Sequence, residues 1–152
     1  MYIENIYEFV QNKLKSGIKT EKYVKVVKIK ARPAVIGEEI ITKMSDNFVE
    51  SKYVVKTPGC MVVTNPNGEE YVVSAQSFSE RYTKTEEEGI YMPKPLPQEM
   101  LILDEDVEFV APWNEIMKIR KGGALNITKK DEGYIYGIQP REFKETYARY
   151  TD

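Results

Sequence analysis

Two kinds of side chain in this sequence could carry reaction chemistry: a single thiol, Cys60, and several groups of carboxylates. Neither has the neighbour that catalysis near neutral pH usually needs. The chain contains no histidine. That removes Ser–His and Cys–His nucleophilic pairs, the usual zinc sites and the commonest general base. Cys60 opens the apolar run Cys60-Met61-Val62-Val63 and reads as a buried, inert thiol. The densest carboxylates are Asp104-Glu105-Asp106 with Glu108. Their spacing lacks the glycine of a calcium loop, so they read as a solvated turn, with a weak cation site as the alternative. Glu86-Glu87-Glu88 reads as a solvated helix end. Paired carboxylates for glycoside cleavage are paired in space, and nothing in the order of residues points to them. Gly122-Gly123 lacks the lysine and the spacing of a phosphate loop. No catalytic, cofactor-binding or metal-binding residue is therefore assigned, and no cofactor is expected. A metal held by carboxylates alone would be weak and hydrated. The balance leans away from an enzyme.

Binding is the other use of such residues. Up to Arg32 the chain carries eight Lys and Arg against three Glu, although the whole is net −2. A basic stretch of this kind can mark a polyanion site. Lys28, Lys30 and Arg32 also alternate with Val27, Ile29 and Ala31, as on the wet face of an edge strand, where lysines discourage pairing with another sheet. Trp113, the one tryptophan, follows Pro112 and reads as a half-buried cap on a core, or else as an exposed anchor for a ligand. Met92-Pro93-Lys94-Pro95-Leu96-Pro97 must run extended. It reads as a stiff spacer, with docking on an aromatic groove as the alternative.

The elements that would position these residues follow from length and pattern. A chain of 152 residues, 41% hydrophobic and 30% charged, suits one compact domain or two small ones and is not disordered in composition. No apolar run reaches the ~20 residues of a membrane helix. No basic leader with an apolar core opens the chain, so no signal peptide is expected. The lone cysteine excludes an internal disulfide and fits a reducing cytoplasm. An amphipathic helix is expected over Met1–Ser16, with Ile3, Ile6, Tyr7, Val10 and Leu14 on one stripe. Strands are expected over Lys22–Arg32, Glu39–Thr42 and Phe48–Lys56, and later over Met100–Leu103, Val107–Ala111 and Ile116–Ile119.

The stretch Pro58–Tyr82 is written twice. Gly59, Thr64, Gly68, Tyr71, Phe78, Glu80 and Tyr82 return in order as Gly123, Thr128, Gly133, Tyr136, Phe143, Glu145 and Tyr147. Met61, Val63 and Val73 align with Leu125, Ile127 and Ile138. This is an internal repeat, each copy a β-hairpin followed by a helix. In the first, Asn65-Pro66-Asn67-Gly68 turns the hairpin and Ser74 caps a helix with Phe78 and Tyr82 on one face. In the second, Pro140 suits the first helical position and Glu142 the positive first turn.

Pro58-Gly59, the apolar strand, Gly68-Glu69-Glu70-Tyr71 and Phe78-x-x-x-Tyr82 together resemble the small bacterial and phage proteins named for a PGDYG motif. Cys60 and Met61 stand where that motif has aspartate and an aromatic. The resemblance implies a fold and a bacterial or phage source, and it implies no activity.

The expected architecture is α+β and mainly β: two tandem bent-sheet or partial-barrel units, each a β-hairpin closed by a Phe/Tyr helix, plus an N-terminal helix. The divisions are an N-terminal helix over 1–21, a first β-rich repeat over 22–83, a proline-containing connector over 84–98 and a second repeat over 99–152. Strand alternation places Met61, Val63, Tyr71 and Val73 under the first helix, and Leu125, Ile127, Tyr136 and Ile138 under the second. The other face of the first hairpin, Cys60, Val62 and Val72, should be covered by the N-terminal helix, the other copy or a second subunit. That of the second, with Ala124, Asn126, Thr128 and Gly137, should be open to water. The leading function is a non-enzymatic binding or accessory module acting through protein contacts, with a protein partner or a homo-oligomer and no membrane. The alternatives are a single-stranded nucleic-acid binder using strand 22–32 and, last, an enzyme using carboxylate, Tyr or Lys chemistry.

Overall fold

Asn5 decides where the first helix begins. In the computed structural model, which describes residues 1–43, 49–66 and 68–151, its side chain accepts the Glu8 N–H and caps helix α1, Ile6–Lys15. Residues before Asn5 are not helical: Tyr2 forms a β-bridge with Glu108, and the Ile3 N–H donates to the Glu108 carbonyl. Ile3 and Val10 are buried, with Ile6, Phe9 and Leu14 packed beside them. Tyr7 lies at the margin of that stripe, exposed, and Phe9 fills the place expected of it.

The expected strand over 22–32 is two strands. The chain bends after Lys25, so that β1 (Glu21–Lys25) and β2 (Ile29–Pro33) pair in different sheets. Next come β3 (Glu39–Lys43) and β4 (Val49–Val54), an antiparallel hairpin; Phe48, where β4 was expected to begin, lies outside the described residues. The repeated stretch follows as β5 (Met61–Thr64), β6 (Glu70–Val73), helix α2 (Ala75–Arg81) and β7 (Tyr82–Lys84). Asn67 of the expected turn is also outside the described residues. Tyr82 begins a strand instead of ending the helix, yet its ring stays 5.1 Å from that of Phe78.

The segment expected as a connector contains a strand, β8 (Ile90–Pro93), which pairs with both β2 and β7. Glu86–Gly89 is the turn leading into it rather than a helix end. After β8 come β9 (Gln98–Ile102), β10 (Val107–Val110), β11 (Ile116–Ile119), β12 (Ala124–Lys129), β13 (Tyr134–Ile138), α3 (Pro140–Thr146) and β14 (Tyr147–Arg149). Gln139 precedes α3 as its cap residue, but its amide works elsewhere. It accepts the Arg120 N–H at 3.1 Å and donates to the Lys118 carbonyl, tying α3 to the end of β11.

The described residues are β-rich, with several sheets, none of which among them is closed into a barrel. It divides into two compact units, Met1–Val24 with Pro97–Asp152, and Lys25–Leu96. The five-stranded sheet of the second unit runs β6-β5-β2-β8-β7. Its α2 side carries Met61, Val63, Tyr71 and Val73 with Ile29, Tyr91, Phe78 and Tyr82. Its other side carries Cys60, Val62 and Val72, packed with Ile40, Val55, Ala34 and Tyr53. The cover on that side is therefore the β3–β4 hairpin of the same unit, which was not among the expected covers. Two apolar faces need two covers, and a hairpin a few residues upstream is the nearest source.

The other five-stranded sheet runs β13-β12-β9-β1-β14. Here Asn126 pairs with Tyr136 and Ala124 with Ile138, so Ala124 and Ile138 share the α3 side with Phe143 and Tyr147. Leu125 and Ile127 face the opposite way, into the larger core of Ile3, Val10, Val107, Phe109, Met117 and Ile119. This reverses the expected facing for β12 alone, since Ile138 and Tyr136 of β13 do pack with Phe143 and Tyr147 as expected. Aligning the copies by their glycines shifts β12 by one position, and one position exchanges the two faces of a strand. The register shift between Asn126 and Lys129 is where the extra length is absorbed.

Candidate functional site

The side chains that come together with chemistry to spare are Lys25, Tyr71 and Tyr82, all in the second unit. Lys25 is half-buried at the end of β1. Its Nζ donates to the Tyr71 hydroxyl at 2.6 Å and to the Tyr82 hydroxyl at 2.9 Å. The ring centres are 5.3 and 5.2 Å away. The much shorter oxygen distances mean that hydrogen bonds to the phenols, not attraction to the ring faces, hold the ammonium. Strand β6 supplies Tyr71 opposite Val63, and α2 hands Tyr82 to the start of β7 beside Phe78. Tyr82 is only 7% exposed. The Tyr71 hydroxyl also lies 3.4 Å from Asn65 Oδ1 and 3.5 Å from the Tyr82 hydroxyl, both long for an O–H bond.

The first unit holds a contrasting polar cluster around its own strand tyrosine. Asn126, 2% exposed, donates through Nδ2 to Gln98 Oε1 at 3.0 Å and to the Tyr136 hydroxyl at 2.9 Å. Its Oδ1 accepts the Thr128 N–H at 3.1 Å and the Thr128 hydroxyl at 2.7 Å. Both amide protons and the carbonyl are engaged, and no group in the cluster is charged. The expectation of a face open to water is thus corrected: Ala124, Asn126 and Gly137 are buried, and of the four residues Thr128 alone is exposed.

No family model, curated protein or solved structure matches this chain. Its site rests on the geometry of its own residues.

The other residues singled out in the sequence have surroundings of their own. Cys60 is 4% exposed, among Ile40, Val55 and Val62. Of the acidic run, Asp106 accepts the Lys121 N–H at 2.8 Å, Asp104 faces Lys13 at 3.7 Å and Glu108 faces Lys118 at 3.9 Å. Among the described residues no three Cys, Asp or Glu are grouped so as to hold a metal ion. Trp113 packs against the larger core, half-buried. Lys28 and Lys30 are exposed, but Arg32 is turned onto Glu38, its two terminal nitrogens each 2.9 Å from a carboxylate oxygen. The basic stretch is therefore not one continuous positive face.

That Arg32–Glu38 pair braces a turn. Glu38 Oε1 also accepts the Val35 N–H at 2.8 Å, the Ala34 N–H donates to the Cys60 carbonyl, and the Gly37 N–H donates to the Val55 carbonyl. At its tip Val35 is 64% and Ile36 55% exposed. Glu38 is held well below the ordinary carboxylate value of 4.5, at about 2, first by the Arg32 hydrogen bond and then by the Val35 N–H.

Sequence reading treated Tyr71 and Tyr82 as core and Lys25 as one base among several. Parity carried a signal: in one strand Lys25 would share a face with Val27, Ile29 and Ala31, opposite Lys28 and Lys30. A lysine on the apolar face requires a polar partner within the structure.

Proposed function

We propose that this chain is a non-enzymatic binding or accessory module that acts through contact with a second protein chain. The observation that carries this reading is the braced turn at Val35 and Ile36. Two large β-branched side chains stand in water on a backbone fixed by a two-pronged ion pair and several main-chain hydrogen bonds. A contact group already held in place loses little freedom on binding, which is what an apolar anchor needs. The closed polar cluster at Asn126, the buried thiol and the paired carboxylates support the same reading over a catalytic one. Arg32, turned onto Glu38, and the break between β1 and β2 weigh against strand 22–32 as a track for single-stranded nucleic acid.

The same proposal takes the chain as a tandem pair of bent sheets derived from one unit, of the kind its PGDYG-like residues suggest. Supporting this, both five-stranded sheets have a hairpin at one edge, then a strand that precedes that hairpin in the chain, β2 in one and β9 in the other. Both carry a helix joining the hairpin to the other edge. The position that β8 holds in one sheet is held by β1 in the other.

A photo-crosslinking residue at Ile36 of the full chain, in its native cells, tests the function. The expected product is one discrete protein adduct, a second copy of the chain included, that is lost with Val35→Asp. An adduct to nucleic acid, or a smear unchanged by Val35→Asp, would overturn it.

A further inference from the structure

We propose that Lys25 and Tyr82, with Tyr71 orienting the lysine, form a binding site for one oxyanion, a carboxylate or phosphate group carried by a small molecule. This goes beyond contact through the Val35–Ile36 turn and does not depend on it.

The argument is one of charge and donors. An ammonium has three N–H donors and no acceptor. Two of those of Lys25 go to phenol oxygens. Among the described residues no carboxylate forms an ion pair with it and no third acceptor engages it. Taking a cation partly out of water without a counter-charge is unfavourable, and an anion at the third proton restores the balance. Tyr82 contributes a second donor. Its oxygen accepts from Lys25, so its own proton points away from Nζ. Its one other hydrogen-bond contact among the described residues, with the Tyr71 oxygen, is 3.5 Å long, at the limit of a hydrogen bond. Hydrogen bonds from such groups to an ionised oxygen are roughly twice as strong as neutral ones.

The first unit shows what the same surroundings look like without that charge. There a neutral asparagine meets the strand tyrosine and all its hydrogen-bonding capacity is used. Structural support for a tyrosine hydroxyl therefore does not require a lysine. The charge at Lys25 has a separate use.

The test uses the full chain with 13C-labelled tyrosine rings, assigned with Tyr71→Phe and Tyr82→Phe, and titrated at constant pH and ionic strength with sodium phosphate, sodium acetate and sodium chloride. The expected result is a saturable shift of the Tyr71 and Tyr82 signals with phosphate, acetate or both, and none with chloride. Saturation by acetate marks a carboxylate ligand, and by phosphate alone a phosphate ligand. Lys25→Met should weaken the binding on the order of tenfold or more, as loss of a charged hydrogen bond implies, while Lys28→Met leaves it unchanged. Where Lys25→Met does not fold, Tyr82→Phe keeps the ring and the cation, and should still weaken binding severalfold. Equal shifts with chloride, no saturable shift with either oxyanion, or equal binding by the Tyr82→Phe and parent chains would overturn the proposal.

Discussion

Gly137 on β13 lies against Ile119 on β11 so closely that a Cβ built on it would stand 2.3 Å from the Ile119 Cγ1. The Gly137 N–H also reaches Met117 Sδ at 3.3 Å. The hairpin β10–β11 is thus pressed onto the sheet at a point where only hydrogen fits. Gly137→Ala should destabilise the protein by about 1–3 kcal/mol through overpacking, read as a lower urea midpoint at unchanged slope. Ile119→Ala combined with it should recover part of that loss, because the added methyl then has room. Strict additivity of the two substitutions would show that the contact is not what sets the cost.

A second prediction concerns Asn126. Replacing it with alanine removes an amide that serves Gln98, Tyr136 and Thr128 at once, leaving partners poorly satisfied inside the sheet. The expected cost is about 1–3 kcal/mol. Tyr136→Phe removes one partner of the amide and should cost less, about 0.5–1.5 kcal/mol. Denaturant unfolding of both variants checks the order; a reversed order would mean that Asn126 is not the hub.

Much of the strand content could be read from the sequence, because Met61–Thr64, Glu70–Val73 and Ile116–Ile119 are short apolar runs between turn residues. The facing of β12 could not. It depends on how many residues the second turn absorbs, and the shift beyond Asn126 is set by pairing across the sheet rather than by local composition. Strand β8 was hidden by the prolines around it, since Pro93 ends it and Pro95 and Pro97 follow; its pairing with β2 and β7 is a long-range event with no local sign. The bend between β1 and β2 was hidden for the opposite reason, since no glycine or proline interrupts the run from Glu21 to Arg32. Lys25 carried a signal in the sequence, its parity with Val27 and Ile29, but it was read only as one base among several. Its two tyrosines became partners only once β6 and β7 were placed.

Cys60 offers a direct measure of how tightly the β3–β4 hairpin covers its sheet. The thiol is buried with Ile40, Val55 and Val62, so labelling in native buffer should be slow and should accelerate steeply with denaturant. Rapid stoichiometric labelling without unfolding would show that the hairpin lifts away freely. Cys60→Ser places a hydroxyl among apolar neighbours and should cost about 1–3 kcal/mol.

The last prediction follows from Glu38. Its carboxyl is lowered from 4.5 to about 2 by Arg32 and the Val35 N–H, while the chain once unfolded would return it to the ordinary value. A carboxylate whose folded value is depressed binds fewer protons in the folded state, so stability rises with pH across the interval between the two values. The contribution of this turn is therefore complete above about pH 4.5 and is lost as pH falls toward 2. Carbon-detected NMR of the Glu38 carboxyl should show a midpoint well below the ordinary carboxylate value of 4.5. Arg32→Met should move that midpoint up toward the ordinary value and flatten the acid limb of stability in the same window. The turn would then hold Val35 and Ile36 less firmly, so the crosslinking yield at Ile36 should fall with Arg32→Met even at neutral pH. A midpoint near 4.5 in the parent chain would mean that the two-pronged pair does not persist in solution, and the braced turn would lose its support.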